Sequence, residues 1–218
     1  MAGRTDSGVH ALGQIFAFTT DDPERAKKGL NPLLPLDCWI TGCDEVGVDF
    51  NPRFAAISRT YQYYFGRCDL DINLMQEGAR YFCGEHDFSS FAKLDGKNPV
   101  RNVISAVVSR ENGYPVLTIT AKSFLWRMVR CIAQALHEIG GDLRKPESIR
   151  DRLLLPGSEP IDPASAEGLV LSHVECGVGF TPVYQTKGKQ YQREGCIMWQ
   201  RAVSSVLFGT PDEVPIDR

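Results

Sequence analysis

The chain has 218 residues, of which 43% are hydrophobic and 23% charged, with a formal net charge of −3. These values fit a globular chain of one large or two small domains. They exclude intrinsic disorder, collagen-like repeats and a globally basic nucleic-acid binder, though not a locally basic groove.

In chain order, the weak alternation of Gly13–Phe18 reads as a strand. Asp22-Pro23-Glu24 then opens a helix to about Leu30, with Asp as cap and Pro at the first helical position. Cys38–Val46 reads as a second strand. Ile57–Phe65 is a third, with Tyr61, Tyr63 and Phe65 on one face and Thr60, Gln62 and Tyr64 on the other. A helix follows from about Ile72 to Phe82, then a polar loop. Strands at Asn102–Arg110 and Tyr114–Ala121 flank Asn112-Gly113, a strong hairpin signal.

The clearest helix is Phe124–Ile139. Phe124, Met128, Ile132, Ala135 and Ile139 form its apolar stripe, and Arg127, Arg130, Gln134 and His137 its polar one. Pro146-Glu147 starts a short helix to about Leu154, and Gly168–Glu175 is a last core strand. The tail is polar from Gly177 and mildly apolar again over Cys196–Leu207. Strands joined partly by helices and partly by hairpins indicate an α+β fold with mainly antiparallel sheet. A domain boundary is expected within Gly84–Val100, where turn-forming residues collect.

No apolar run reaches the ~20 residues of a membrane span. The N-terminus lacks a signal-peptide core, and a cytoplasmic location is expected. The seven scattered cysteines read as free thiols rather than disulfides. Cys38/Cys43 and Cys83/His86 do not supply the two tight ligand pairs of a zinc site. No metal is expected.

The segment Gly3-Arg4-Thr5-Asp6-Ser7-Gly8-Val9-His10-Ala11 is the first candidate for chemistry. Its glycines allow a tight turn and close ligand approach, and Arg4 could hold Asp6 ionised. The plain alternative is a surface Asx-turn with Arg4 in solvent. Ser7 with His10 suggests a hydrolase, but no third member or nucleophile elbow accompanies them. Phosphate-loop and dinucleotide-loop spacings are not met.

Taken whole, Gly3 to Gln14 closely resembles the active-site loop of the TruA-type tRNA pseudouridine synthases. The resemblance continues in order through Arg53-Phe54 with Ser58–Tyr63, Gly84-Glu85-His86-Asp87-Phe88-Ser89-Ser90-Phe91 and Arg101-Asn102-Val103. It ends with Phe124-Leu125-Trp126-Arg127-Met128-Val129-Arg130 and Ala166-Glu167-Gly168-Leu169. It implies isomerisation of uridine to pseudouridine at tRNA positions 38–40 in the anticodon arm, without a cofactor. By the family's pattern Asp6 is the catalytic carboxylate and Arg130 its ion-pair partner. Arg4 resembles the arginine that holds the target nucleotide out of the stack, and Tyr61 the tyrosine that packs on the uracil. Leu169 resembles an apolar residue against the base, although Leu in such a strand is ordinarily core.

The resemblance also implies two ferredoxin-like subdomains with an active-site cleft between them. These would be residues 1–90, carrying the loop, and 91–176, followed by a 177–218 tail of unassigned role. It implies a homodimer in which one tRNA contacts both subunits. Members of the family carry a strand, a helix and most of a second strand upstream of the loop. Here Met1 directly precedes Ala2, so a frayed loop and an unpaired sheet edge are expected. The rival from another class is a catalytically weak RNA-binding or dimer-forming protein of the same fold.

Phosphate contacts are expected over 88–130, where seven cations stand against two acids. Lys93, Arg101 and Arg127 are the leading candidates for substrate binding. Arg144, Lys145, Arg150 and Arg152 fit a solvated helical face equally well, and Lys187, Lys189 and Arg193 lie in the tail.

Overall fold

A computed structural model describes residues 1–35, 37–155 and 161–183. The tail expectations at Lys187, Lys189, Arg193 and Cys196–Leu207 lie outside the described residues. The chain opens with a two-residue strand, β1 (His10–Ala11), and helix α1 (Pro23–Leu33). Asp22 caps α1 by accepting the Arg25 N–H at 3.0 Å, and Leu34 closes it on the Leu30 carbonyl. There follow β2 (Gly42–Cys43), α2 (Pro52–Ala55), β3 (Ser58–Tyr64) and α3 (Ile72–Arg80). Asp71 caps α3 through the Asn73 and Leu74 amides. Next come β4 (Gly84–Asp87), a single 3₁₀ turn at Ser89–Phe91, β5 (Val100–Glu111) and β6 (Tyr114–Ala121). Helices α4 (Met128–Gly140) and α5 (Glu147–Leu154) precede β7 (Leu169–Glu175) and β8 (Thr181–Pro182).

The described residues group into two compact units. The larger contains Met1–Phe16 and Pro52–Cys176, and the smaller Ala17–Asn51 with the segment from Gly177. In the larger unit one six-stranded sheet runs β1-β7-β3-β6-β5-β4. Only the β1–β7 pairing is parallel, so the α+β architecture with mainly antiparallel sheet is as expected. Asn112 and Gly113, both at positive φ, make the β5–β6 hairpin turn that their sequence specifies.

One sheet face is apolar. Tyr61, Tyr63, Leu117 and Ile119 pack in a single core with Met75 and Ala79 of α3 and Ile132, Leu136 and Ile139 of α4. Two register shifts keep the alternation aimed at that core. One lies between Val103 and Ser105 in β5, the other beside Thr60 and Tyr61 in β3. At the second, Ser172 is the unpaired residue, and its hydroxyl donates to the Thr60 carbonyl at 3.0 Å.

In the smaller unit, Asn31 of α1 holds the Ile40 amide at 2.8 Å and the Ile40 carbonyl at 2.9 Å. β2 pairs antiparallel with β8. No helix among the described residues is long and apolar enough to cross a membrane. The six described cysteines are free thiols, and Cys196 lies outside the described residues.

Four expectations are corrected. Gly13–Phe18 is not a strand, because pairing ends at Ala11 and the Leu12 and Gly13 amides both turn onto the Leu171 carbonyl. The 38–46 strand shrinks to Gly42–Cys43, since Asn31 takes the bonding groups of Ile40. Gly84–Asp87, read as polar loop, is an edge strand, where one neighbour suffices and polar side chains face solvent. The long helix starts at Met128 rather than Phe124, because Arg127 takes a left-handed conformation with φ 61°.

Candidate active site

Residues 2–9 form a loop tied down at several points. The Ala2 amide donates to the Ile15 carbonyl at 2.7 Å. Gln14 grips Gly3 twice, accepting its N–H at 3.3 Å and donating to its carbonyl at 2.7 Å. The Val9 amide closes a four-residue turn on the Asp6 carbonyl at 3.2 Å. Gly8 supplies the positive φ of 85° that a side chain would resist in that turn. The frayed loop expected from the sequence is therefore replaced by an anchored one.

The deepest anchor is Arg59, 8% exposed on the buried face of β3. It donates to the Ala2 carbonyl through Nε at 3.1 Å and Nη2 at 2.6 Å, to the Arg53 carbonyl at 2.9 Å, and to the Lys122 carbonyl at 2.5 Å. One planar guanidinium thus joins three chain segments through backbone oxygens. Burial lowers its pKa, and the neighbouring charge of Arg53 adds to the effect.

Asp6 is held by two donors, one on each carboxylate oxygen. Arg130 Nη1 donates to Oδ2 at 3.0 Å, and Trp126 Nε1 donates to Oδ1 at 3.0 Å. The Arg130 side chain is 14% exposed and that of Asp6 30%. The pair therefore sits at the protein surface with the cation largely shielded and the acid reachable. Arg130 is itself fixed, since its Nε donates to the Ala164 carbonyl at 2.7 Å and its carbonyl accepts the Ala164 amide at 3.1 Å. Across the loop, a Cβ on Gly8 would stand 3.2 Å from Ala166 Cβ and 3.3 Å from Glu167 Oε1, so Ala166 and Glu167 pack against the loop.

Tyr61 lies beneath the loop. Its hydroxyl would be 3.7 Å from a Cβ on Gly3, and its ring meets Phe124 edge-on at 5.2 Å. Burial raises the pKa of the phenol, Arg59 opposes this, and the Asp6 charge adds to it. Tyr61 thus stays protonated beyond the usual tyrosine value near ~10. Activity measured to pH ~10 is expected to show no alkaline limb that Tyr61→Phe removes.

The structure gathers Asp6, Arg130, Tyr61, Ala166 and Glu167 around one loop. Leu169 is 6% exposed and belongs to the core, opposite Tyr63 in the sheet. Arg4 is exposed, two residues before Asp6. Lys93 Nζ lies 4.6 Å and Arg127 Cζ 5.2 Å from the Trp126 ring centroid, which brings both cations next to the carboxylate's partner. Arg101 does not join them. It curls back onto the Asn98 and Val100 carbonyls, and its Nε is buried without a partner among the described residues. Ser7 and His10 are both exposed and share no hydrogen bond among the described residues.

Three contributors were not assigned a role by the sequence: Gln14, Arg59 and Trp126. For Arg59 a signal existed, because it shares the i, i+2 face of Tyr61 and Tyr63. For Trp126 there was none, since the helical reading hid the reversal at Arg127.

Gly13 carries a testable constraint on the loop's exit. A Cβ there would stand 2.7 Å from the Ser172 carbonyl oxygen and 2.9 Å from His173 Cα, both backbone atoms of β7. Gly13→Ala is expected to cost about 2 kcal/mol and to lower Tm by roughly 4–8 °C. Thermal unfolding followed by circular dichroism measures this.

Comparison with known proteins gives a consistent match. A family model described as tRNA pseudouridine synthase covers residues 79–175. A tRNA pseudouridine synthase A of Methanosphaerula palustris is 50% identical over 221 residues, covering 100% of this chain and 78% of that protein. The protein of the same name from Methanoculleus marisnigri is 43% identical, covering 84% of this chain and 67% of the relative. That of Thermococcus kodakarensis is 41% identical, covering 95% and 79%.

Proposed function

The chain belongs to the tRNA pseudouridine synthase A family, an isomerase family, and from that premise we propose that it converts uridine to pseudouridine at tRNA positions 38–40 with Asp6 as the catalytic carboxylate. The observation that carries the reading is the two-donor grip on Asp6 by Arg130 and Trp126 at 3.0 Å each.

The reaction breaks the C1′–N1 bond of the nucleotide, turns the uracil and joins C1′ to C5, whose hydrogen leaves as a proton to solvent while the freed N1 takes one up. Atoms and electrons balance within the substrate, so neither an oxidant nor an energy source enters. The ribose carbon gains positive character as the glycosidic bond breaks, and a fixed carboxylate stabilises it. Arg130 donates a charge-assisted hydrogen bond to Asp6 at 3.0 Å and so fixes the carboxylate in place. Tyr61, protonated and buried under the loop, packs on the uracil, and Leu169 adds an apolar wall. Extruding the nucleotide costs a few kcal/mol, which Arg4 offsets by filling the space it leaves. Lys93 and Arg127 neutralise phosphates beside the site, and Arg101 does so further off.

The proposal includes the anticodon stem-loop as the recognised element and a homodimer that holds one tRNA between its subunits. It also includes a cleft flanked by subdomains 1–90 and 91–176. The test is release of tritium from unmodified tRNA labelled at C5 of uridine. Stoichiometric release in the anticodon arm supports the reading. Binding of tRNA with no release contradicts it and favours the RNA-binding alternative.

A further inference from the structure

Trp126 is the one donor to Asp6 that no feature of a charge pair requires. Its Nε1–H reaches Oδ1 at 3.0 Å while Arg130 occupies Oδ2, so the two oxygens are held differently. The Trp126 side chain is not there to fill the core, because the residue is 40% exposed. Its backbone is nevertheless fixed from both sides. The Lys93 amide donates to the Trp126 carbonyl at 2.9 Å. Arg127, the next residue, sits at φ 61°, a conformation an L-residue adopts at a cost. That reversal stops α4 from extending back to Phe124 and turns the indole edge, rather than a helical surface, toward Asp6. Lys93 and Arg127 then rest against the ring.

We infer that Trp126 is a positioning residue for Asp6, fixing which carboxylate oxygen is presented to the ribose through its indole N–H. A guanidinium alone permits rotation of the carboxyl about its Cβ–Cγ bond. A second donor on the other oxygen removes that freedom and leaves the remaining lone pairs aimed in one direction. The inference rests on Asp6 being the reacting group.

The test uses the full chain and tritium release from tRNA at pH 8, where an introduced histidine is neutral. Trp126→Phe keeps a ring and loses the donor. Trp126→His keeps a donor, since its Nε2 lies about where the indole Nε1 does, and loses half the ring. Trp126→Phe is expected to lower kcat about tenfold with KM within about twofold, and Trp126→His to recover several-fold of that loss. A residue serving only as packing gives the reverse order, with Phe the better substitute, and that order overturns the inference. So does Trp126→Phe with unchanged kcat.

A double-mutant cycle in Tm supplies a readout without turnover. The effects of Trp126→Phe and Asp6→Ala, each of which removes the contact, are expected to be non-additive, and strict additivity overturns the contact. Should Asp6→Asn turn over at the wild-type rate, the proposed function falls and the inference with it. Should Asp6→Asn be inert while Trp126→Phe is unimpaired, the inference alone falls.

Discussion

Asp6→Asn is expected to lower turnover on tRNA by about 10³-fold or more while leaving tRNA affinity within about threefold. The substitution is nearly isosteric. The amide oxygen still accepts from one of the two donors, so the loop stays anchored through Ala2, Gly3 and Val9. What disappears is the charge, and with it the group that answers the positive character of the ribose carbon. Arg130, 14% exposed, is left facing a neutral amide. Asp6→Glu is a sterner check of position than of charge. One added methylene moves the carboxylate by more than an ångström away from Arg130 and Trp126, and a loss of about 10²-fold is expected. Single-turnover kinetics with excess enzyme separates these effects from binding. Asp6→Asn retaining a tenth of wild-type turnover would remove the carboxylate from the chemistry.

Arg59→Met is expected to be the most damaging change outside the carboxylate and its donors. It strips the donor from the carbonyls of Ala2, Arg53 and Lys122 together. Leaving such groups unpaired in a buried setting costs about 3 kcal/mol, or a fall in Tm of roughly 6–12 °C. The activity effect is separable from the stability effect. At a temperature well below the melting point, the Ala2 anchor is still missing and Gly3 no longer has a fixed floor beneath it, so kcat falls more than KM rises. Arg59→Lys is expected to rescue only part of either loss, because an ammonium cannot span three carbonyls in the guanidinium's plane. Melting curves and steady-state kinetics on the same samples test this, and wild-type values for both would contradict it.

The parts of the fold legible in the sequence were those governed by local periodicity. Alternation at Tyr61, Tyr63 and Phe65 placed β3, and Asn112-Gly113 placed the hairpin. The apolar residues Met128, Ile132, Ala135 and Ile139 placed most of α4. What was not legible depended on partners distant in the chain. Nothing local says that Asn31 takes the backbone groups of Ile40, or that β1 ends where Gly13 meets β7. Polar Gly84–Asp87 is a strand only because β5 is there to pair with it.

The candidate site divides in the same way. The pairing of Asp6 with Arg130, 124 residues apart, came from resemblance and is met by a 3.0 Å contact. Trp126 and Arg59 act through geometry that composition does not encode: a reversed backbone at Arg127 in one case and three convergent carbonyls in the other. Leu169 shows the opposite limit, since burial in the core is what any leucine in β7 would show.

The central claim, that a carboxylate held by Arg130 and Trp126 isomerises uridine in tRNA, is tested most directly by mapping pseudouridine in an unmodified tRNA transcript incubated with the protein. New pseudouridine confined to positions 38–40 with the wild-type chain, and none with Asp6→Asn, is the expected result. A transcript left unmodified by the wild-type chain, or modified equally by both, would contradict it.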